Sequence, residues 1–477
     1  MAGIGFQLKE LFQKSGIIKN VRAFSYSTIV TVGPMFFCVV LITLAKHLLG
    51  LLNTVESEID RFMAGIEYAF IFSQIITGGF SFTISRFIAD QSFLEKDDYI
   101  LSSMIGLISI CVSIGGISTF IFYYNSPLPL AFKICSYLFF SELIIIWIQA
   151  MYVSAIKDYI RIVKSFIVGF FISALLFWIC IIMLELNNAT TVFICLDVGF
   201  FFIIMRLNQF IRSYFTKNNQ EYFRFLIYLE KYPFLFFTGF FYIGGLYSHN
   251  LIIWQGNLNI VVDQTFKISP YYDVPVFFSY ITVLPAMVLF MIYVETSFYQ
   301  AHKEYYHRIL HSYPLREILD AKKNMFKVLS TELTFLAEIQ LIVVLCSITI
   351  GSQLLPRFGM TSEQLHLFMI LTLGNLFFSL LFTMIILLLY YDDQFGAFLT
   401  TAIFFLVSTL FTAIFMLKAV YGFPIFLASF ISLCVAIYKL INYVNNIDYY
   451  TFCSQPVIFV DKKTWIEGFL IKFRHIK

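Results

Sequence analysis

Twelve apolar runs, each roughly long enough to thread a bilayer, follow one another along this chain with only short polar links between them. They read as Phe24–Leu52, Ala64–Arg86, Tyr99–Tyr123, Pro129–Ile156, Ile162–Leu184, Thr190–Arg212, Pro233–Gln255, Val274–Phe298, Leu329–Leu354, Leu365–Tyr391, Phe395–Tyr421 and Pro424–Val444. A helix needs about 20 apolar residues to cross the hydrocarbon, and in lipid only a structure that satisfies its own backbone can do so. Composition agrees: 60% of the 477 residues are hydrophobic, 13% are charged and mean hydropathy is +0.83, more apolar surface than a water-exposed fold could hide. The expected fold is all-α and integral to the membrane, with about twelve transmembrane helices. Gly33-Pro34 interrupts the first run, where proline removes a backbone donor and should kink the helix.

The runs fall into two sets of six on either side of a basic stretch, Arg206 to Pro233, that carries Arg206, Arg212, Lys217, Arg224 and Lys231. So even a division predicts two six-helix bundles around a central cavity, although no residue-level repeat relates them. The expected organisation is an interfacial amphipathic helix over 1–20, a first bundle over 21–212, a basic cytoplasmic linker over 213–232, a second bundle over 233–444 and a cytoplasmic tail over 445–477. The first segment qualifies because Ile4, Leu8, Leu11 and Phe12 share one helical face, away from Lys9, Glu10 and Lys14. With a cytoplasmic N-terminus, only Lys46, Arg61, Lys133, Lys267, Arg357 and Lys418 of the 32 Lys and Arg fall outside. That is the positive-inside pattern, so both termini are expected in the cytoplasm.

No Walker motif, GxSxG or HExxH occurs, and no soluble segment is large enough to hold a nucleotide, so an enzyme is not expected. His307 and His311 have helical spacing but lack the glutamate of a zinc protease motif and read as solvated loop residues. Seven of the eight cysteines lie in apolar runs, none in a CxxC, which fits packing rather than a metal site or disulfides. Neither a cofactor nor a nucleic-acid partner is expected. Charges inside spans are informative, since burying one in hydrocarbon costs at least about 2.5 to 3.5 kcal/mol unless it faces protein or water. Glu142, Asp197 and Glu338 lie well inside the fourth, sixth and ninth runs and could line a cation site or a polar path, or make structural hydrogen bonds. Glu67, Glu295 and Glu332 lie nearer span ends, and Arg206 is a base inside the cytoplasmic end of its span. In the seventh run, Gly239, Gly244, Gly245 and Ser248 accompany Tyr242, His249, Asn250 and Trp254, a mixture suited to lining a cavity.

Several segments are familiar in their order: MAGIGF (Met1–Phe6), Gly33-Pro34, SRFIAD (Ser85–Asp90), YVSAIKDY (Tyr152–Tyr159), FYIGGLYSHNLIIW (Phe241–Trp254), YITVLPAMVLFMIYVETSFYQ (Tyr280–Gln300) and LYYDDQ (Leu389–Gln394). In these the chain resembles, over nearly its whole length, the PelG family, the polytopic subunits of bacterial Pel exopolysaccharide machinery. One departure is His249-Asn250, where many family members carry an Asp-Lys pair. The resemblance implies a fold like that of multidrug and toxin extruders and oligosaccharide flippases, in the bacterial cytoplasmic membrane. It also implies partners: a PelF-like cytoplasmic glycosyltransferase that builds an N-acetylhexosamine polymer from UDP-sugars, and PelD- and PelE-like membrane subunits, with cyclic di-GMP acting through the PelD-like one. The scarcity of buried bases fits an uncharged polysaccharide substrate better than a lipid diphosphate, which would call for Arg or Lys at its head group. A proton- or sodium-coupled small-molecule exporter, a lipid-linked oligosaccharide flippase and a scaffold that docks a synthase remain alternatives.

Overall fold

The computed structural model describes residues 17–52, 54–156, 158–293, 297–453 and 465–468, so the interfacial helix expected over 1–20 and most of the expected tail lie outside the described residues. Helix α1 (Ile17–Leu51) runs unbroken through Pro34. Helices α2 (Glu56–Gly78) and α3 (Phe80–Phe93) meet at Gly79 with a bend of 48°. The first half is completed by α4 (Asp98–Tyr123), α5 (Leu130–Ile156), α6 (Tyr159–Phe177, prolonged by a π-helical turn, Trp178–Met183) and α7 (Ala189–Tyr214). Within the basic stretch lies α8 (Leu226–Lys231), and α9 (Pro233–Ile253) opens the second half. An antiparallel hairpin, β1 (Ile260–Val262) and β2 (Phe266–Ile268), precedes α10 (Pro270–Ile281) and α11 (Leu284–Tyr293). The remaining helices are α12 (Tyr299–Leu310), α13 (Leu315–Leu354), α14 (Ser362–Tyr390), α15 (Gln394–Met416), α16 (Phe423–Asn445) and α17 (Ile447–Phe452).

Ten of these helices are long and apolar enough to cross a membrane, or eleven with the bent pair as one span. The twelfth expected span is α9, 21 residues and about 30 Å long, which carries the polar Ser248, His249 and Asn250 and is not among those helices. Helix ends follow local chemistry. The Asn188 side chain accepts the Thr191 N–H at 2.8 Å, Thr361 and Gln364 form a capping box, and Pro233 occupies the first turn of α9. Gly359, with φ of +89°, closes the turn after α13, a conformation that side chains with a Cβ rarely adopt.

Besides the second expected span, which bends at Gly79, two more differ. The eighth, expected as unbroken over Val274–Phe298, is two helices that meet at Thr282-Val283, ahead of Pro285. The break frees the Thr282 carbonyl, and fully buried Gln340 on α13 donates to it at 2.8 Å, so a neighbouring helix satisfies the backbone group that lipid could not. The ninth, expected to begin at Leu329, begins at Leu315, because the basic segment before it continues the same 40-residue helix. The cysteines also divide: Cys38, Cys111 and Cys195 are buried as expected, while Cys346 and Cys434 are exposed.

Buried residues from α1 to α7, with Val262, Phe266 and Ile268 of the hairpin, make one core and most of those from α9 to α17 another, so the spans form two bundles. One end of the molecule carries the hairpin, and the opposite end carries the basic connections; we call these the hairpin face and the basic face. On the basic face, Asn219 N–H bonds the Asp98 carbonyl at 3.3 Å, Ser102 Oγ donates to Asn218 and Asn219, and the Arg224 guanidinium packs over Tyr99, so the stretch between the halves is pinned to the start of α4.

On α12, burial without a partner for Nε2 holds the His302 imidazole down at about 4. Its folded value lies below the unfolded one near 6.5, so its contribution is full above about pH 6.5 and is lost as pH falls towards the folded value, at most about 3 kcal/mol. Amide exchange in Tyr299–Leu310, corrected for intrinsic rate, should speed at least about tenfold between pH 7 and 4.5, and His302→Phe should flatten that response. An unchanged profile in the unaltered protein would show that His302 does not carry it.

Candidate functional site

Helix α9 builds the seam between the halves because its glycines let backbone meet backbone. A Cβ on Gly239 would strike the Gly78 carbonyl of α2, and one on Gly245 would come within 2.5 Å of the Phe404 ring on α15. Ser248 Oγ donates to Ser408 Oγ at 3.0 Å, tying α9 to α15 on its other side. The helix thus lies between the two bundles, with its polar residues turned into their junction.

Towards the hairpin face the seam is closed by a hydrogen-bonded cluster. Asp273, in the first turn of α10, accepts from Asn250 Nδ2 at 2.8 Å, Trp254 Nε1 at 2.9 Å and the Ser269 N–H at 2.8 Å. Glu67 of α2 faces it from the first half, near enough for the two charges to interact. The ring of His249, 1% exposed, is held at both nitrogens, with Tyr272 Oη at 3.0 Å from Nδ1 and Tyr280 Oη at 3.0 Å from Nε2. Tyr280 donates to the Leu246 carbonyl, so it accepts from Nε2–H. Nearer the middle of α9, Tyr247 Oη donates to Gln74 of α2 at 2.9 Å, and Tyr242 stacks on Phe378.

The hairpin itself caps the first bundle. Phe266, 1% exposed, sits among Tyr68, Phe122, Tyr123 and Phe132, and Trp254 stacks on Tyr68 with ring centroids 4.8 Å apart. Tyr68 Oη both donates to the Lys267 carbonyl and accepts its N–H. At the hairpin turn, Asp263 takes Arg61 of α2 on both oxygens, at 2.5 and 3.1 Å, while Arg61 also bonds Glu58. At the basic face, by contrast, the seam holds a cavity of about 250 Å³ lined by residues that include Phe82, Arg86, Asp90, Leu235, Tyr390 and Asp392. Arg86 spans it to Asp392 at 3.1 Å.

The structure brings Tyr242, His249, Asn250 and Trp254 together with Glu67 and Asp273 along one seam. Glu142 and Asp197 form a second site, within the first bundle between α5 and α7, near enough for their charges to interact, and each has a buried oxygen without a partner, Oε2 and Oδ1 respectively. Glu338 stands apart, on the exposed side of α13. Arg206, expected inside its span, is on the exposed side of α7 beside Phe202 and Met205, because the buried stripe of that helix runs through Ile203, Leu207 and Phe210. Glu295 lies outside the described residues. His307 and His311 are exposed as expected, but not in a loop: they form the last turn and C-cap of α12, because the helix continues to Leu310, and their rings stack.

Sequence reasoning missed Asp273, one residue ahead of the expected eighth span, and gave little weight to Glu67. It also passed over the hairpin, whose signal was present: the paired runs Ile260-Val261-Val262 and Phe266-Lys267-Ile268 flank Asp263-Gln264-Thr265, with Asp263 and Gln264 both at positive φ.

Two helical bundles meeting in a polar seam, capped at one face and hollowed at the other, are the fold seen in solved multidrug and toxin extrusion (MATE) transporters. The MATE transporter VcmN of Vibrio cholerae in its bent form superposes with a TM-score of 0.59 at 10% identity, over 93% of this chain and 98% of that one. The eukaryotic MATE transporter AtDTX14 does so with a TM-score of 0.59 at 12% identity, over 97% and 100%. A MOP superfamily transporter from Pyrococcus furiosus gives 0.52 at 12% identity, over 93% and 98%. A search of curated proteins finds no match. Residues 1–452 match the family model described as "PelG: Putative exopolysaccharide Exporter (EPS-E)", and the chain belongs to the PelG family. Family and fold together make it a multi-pass membrane transporter of exporter type rather than an enzyme.

Proposed function

We propose that this chain exports a Pel-type polysaccharide containing N-acetylhexosamine across the bacterial cytoplasmic membrane, receiving it at the basic face from a PelF-like glycosyltransferase. The observation that carries this reading is the lining of the seam. Gln74, Tyr242, Tyr247, His249, Asn250 and Tyr280 offer neutral hydrogen-bonding groups and aromatic faces, the chemistry that holds acetylated sugars. Arg86 is the base that flanks the cavity, and it is already engaged by Asp90 and Asp392. In this reading both termini are cytoplasmic, the halves span 21–212 and 233–444, and the basic face presents the segments that a synthase would meet.

Glu142 and Asp197 give the first bundle an acidic polar site, which a cation-coupled small-molecule exporter would also use. For Glu338, the exposed side of a membrane-spanning helix is a costly place for a charge, so a PelD- or PelE-like membrane subunit bringing a hydrogen-bond donor would relieve it. Glu142→Ala and Glu338→Ala should each lower export while membrane abundance holds; a fall in abundance instead would make these acids structural.

The test is reconstitution. Sealed inverted vesicles holding this chain, its neighbouring membrane subunits and the glycosyltransferase should accumulate protected polymer in their lumen when given the UDP-sugar. Polymer made in equal amount but left outside, with or without this chain, would sink the exporter reading and bring the small-molecule exporter forward.

A further inference from the structure

We propose that two copies of this chain associate within the membrane, α7 of one against α13 of the other, through an ion pair between Arg206 of one copy and Glu338 of its neighbour. Both residues face outward from membrane-spanning helices, Arg206 beside Phe202 and Met205 on α7 and Glu338 beside Leu341 and Ile342 on α13. Neither has an ion-pair partner among the described residues of its own chain. A charge on a lipid-facing surface is costly, and this chain carries two of opposite sign.

Their depths match. Measured from the basic face, Arg206 lies six residues inside the Arg212 end of the sixth apolar run, about 9 Å, and Glu338 nine residues inside the Leu329 start of the ninth, about 13 Å. The Cα–Cβ bond in a helix tilts towards the N-terminus, and α7 ends at the basic face whereas α13 begins there. Arg206 therefore leans deeper and Glu338 leans back, so the side chains converge across the difference. The same lean carries Arg206 away from the lipid phosphates of the basic face. A donor from a different membrane subunit would relieve Glu338 and leave Arg206 in lipid, whereas a second copy meets both needs with one kind of contact.

Copies inserted the same way round present α7 and α13 antiparallel, because the two helices cross the membrane in opposite directions. Setting Arg206 against Glu338 then fixes the register: Phe202 meets Ile342, Val198 meets Cys346 and Ile194 meets Ile350, all six of them exposed at the four-residue spacing that keeps to one helix face. Helices in lipid associate through packing and polar contacts rather than a hydrophobic drive, so the ion pair supplies the specificity and the apolar rows the area. The contact involves no residue of the seam, so it can fail or succeed independently of the polysaccharide reading.

The test uses the full-length protein in proteoliposomes, without polymer or other subunits. With the exposed Cys434 and Cys453 changed to serine, a Val198→Cys variant is oxidised with copper phenanthroline. Disulfides should form between position 198 of one copy and Cys346 of another, giving a band at twice the chain mass or a higher multiple that Cys346→Ser removes. Glu338→Arg should cut that band at least about tenfold, and so should Arg206→Glu, because each sets like charges face to face; the two changes together should restore it. Glu338→Gln should lower it less. Every variant is first checked to elute as native. A band unchanged by Glu338→Arg, or one that fades in proportion as the liposomes are diluted with lipid, would overturn the proposal. So would the absence of any band both with Val198→Cys and with Phe202→Cys paired to Ile342→Cys.

Discussion

Replacing Gly239 with leucine should leave almost no monodisperse protein in the membrane. A Cβ at this position would meet the Gly78 carbonyl oxygen of α2 and lie 3.1 Å from Ser81 Oγ, and a backbone carbonyl inside a helix cannot swing aside as a side chain does. Overpacking ordinarily costs about 1 to 3 kcal/mol. Here the cost should stand at or above the top of that range, since the whole of α2 must move, and the Glu67 and Tyr68 contacts on the same helix would be pulled away with it. Gly239→Ala should be intermediate. Gly50→Ala is the control, because nothing lies within 4 Å of a Cβ at that position. Size-exclusion profiles of the detergent-extracted protein would decide it, and a normal yield of native Gly239→Leu would mean that the halves do not meet along this line.

Removing Arg61 should have the second largest effect, by freeing the hairpin. Its guanidinium holds Asp263 through two bonds and Glu58 through a third, with its side chain only 16% exposed, and the other Glu58 oxygen accepts the Ala189 N–H at 2.9 Å. Hydrogen bonds to charged groups contribute about 1.5 to 3 kcal/mol each, and taking the cation away also leaves two carboxylates facing one another. In Arg61→Ala, amide exchange across Ile260–Ile268 should rise at least about tenfold and transport should fall with it, since the cap over the first bundle no longer seats. Arg61→Asp should be worse, and Arg61→Asp combined with Asp263→Arg should recover only part, because the new aspartate lies beside Glu58. Exchange in the hairpin unchanged by Arg61→Ala would show that Phe266 and the Tyr68 contacts hold it unaided.

Much of the architecture could be read from the chain because hydropathy and end signals are local. Pro233, the Thr361–Gln364 box and the glycines at 359 and 422 mark boundaries that the helices respect. The break at Thr282 could not be read that way: whether Pro285 ends a helix depends on Gln340 being at hand, and those residues meet only in the fold. The same limit governed the site. Position within a run shows how deep a charge lies but not what it faces, so Glu338, deep in its span, came out on an exposed surface. Glu67 and Asp273, near span ends and far apart in sequence, came out within reach of each other's charge. The mixture of small, aromatic and polar residues in α9 was the stronger signal, because a helix that must touch both bundles and carry hydrogen bonds has few compositions open to it.

That composition bears on how the protein is made. Helix α9 carries Ser248, His249 and Asn250, and its glycine faces are complete only when Gly78 and Ser81 lie on one side and Phe404 and Phe405 on the other. The first set has been synthesised before α9 leaves the ribosome; the second follows only after α10 to α14. During that interval the helix has half of its contacts, so its residence in the bilayer depends on the first bundle already standing beside it. Biogenesis should therefore proceed from the N-terminal half outward. A truncated chain beginning at Pro233 should insert α9 poorly, and supplying the first half as a separate polypeptide should restore it.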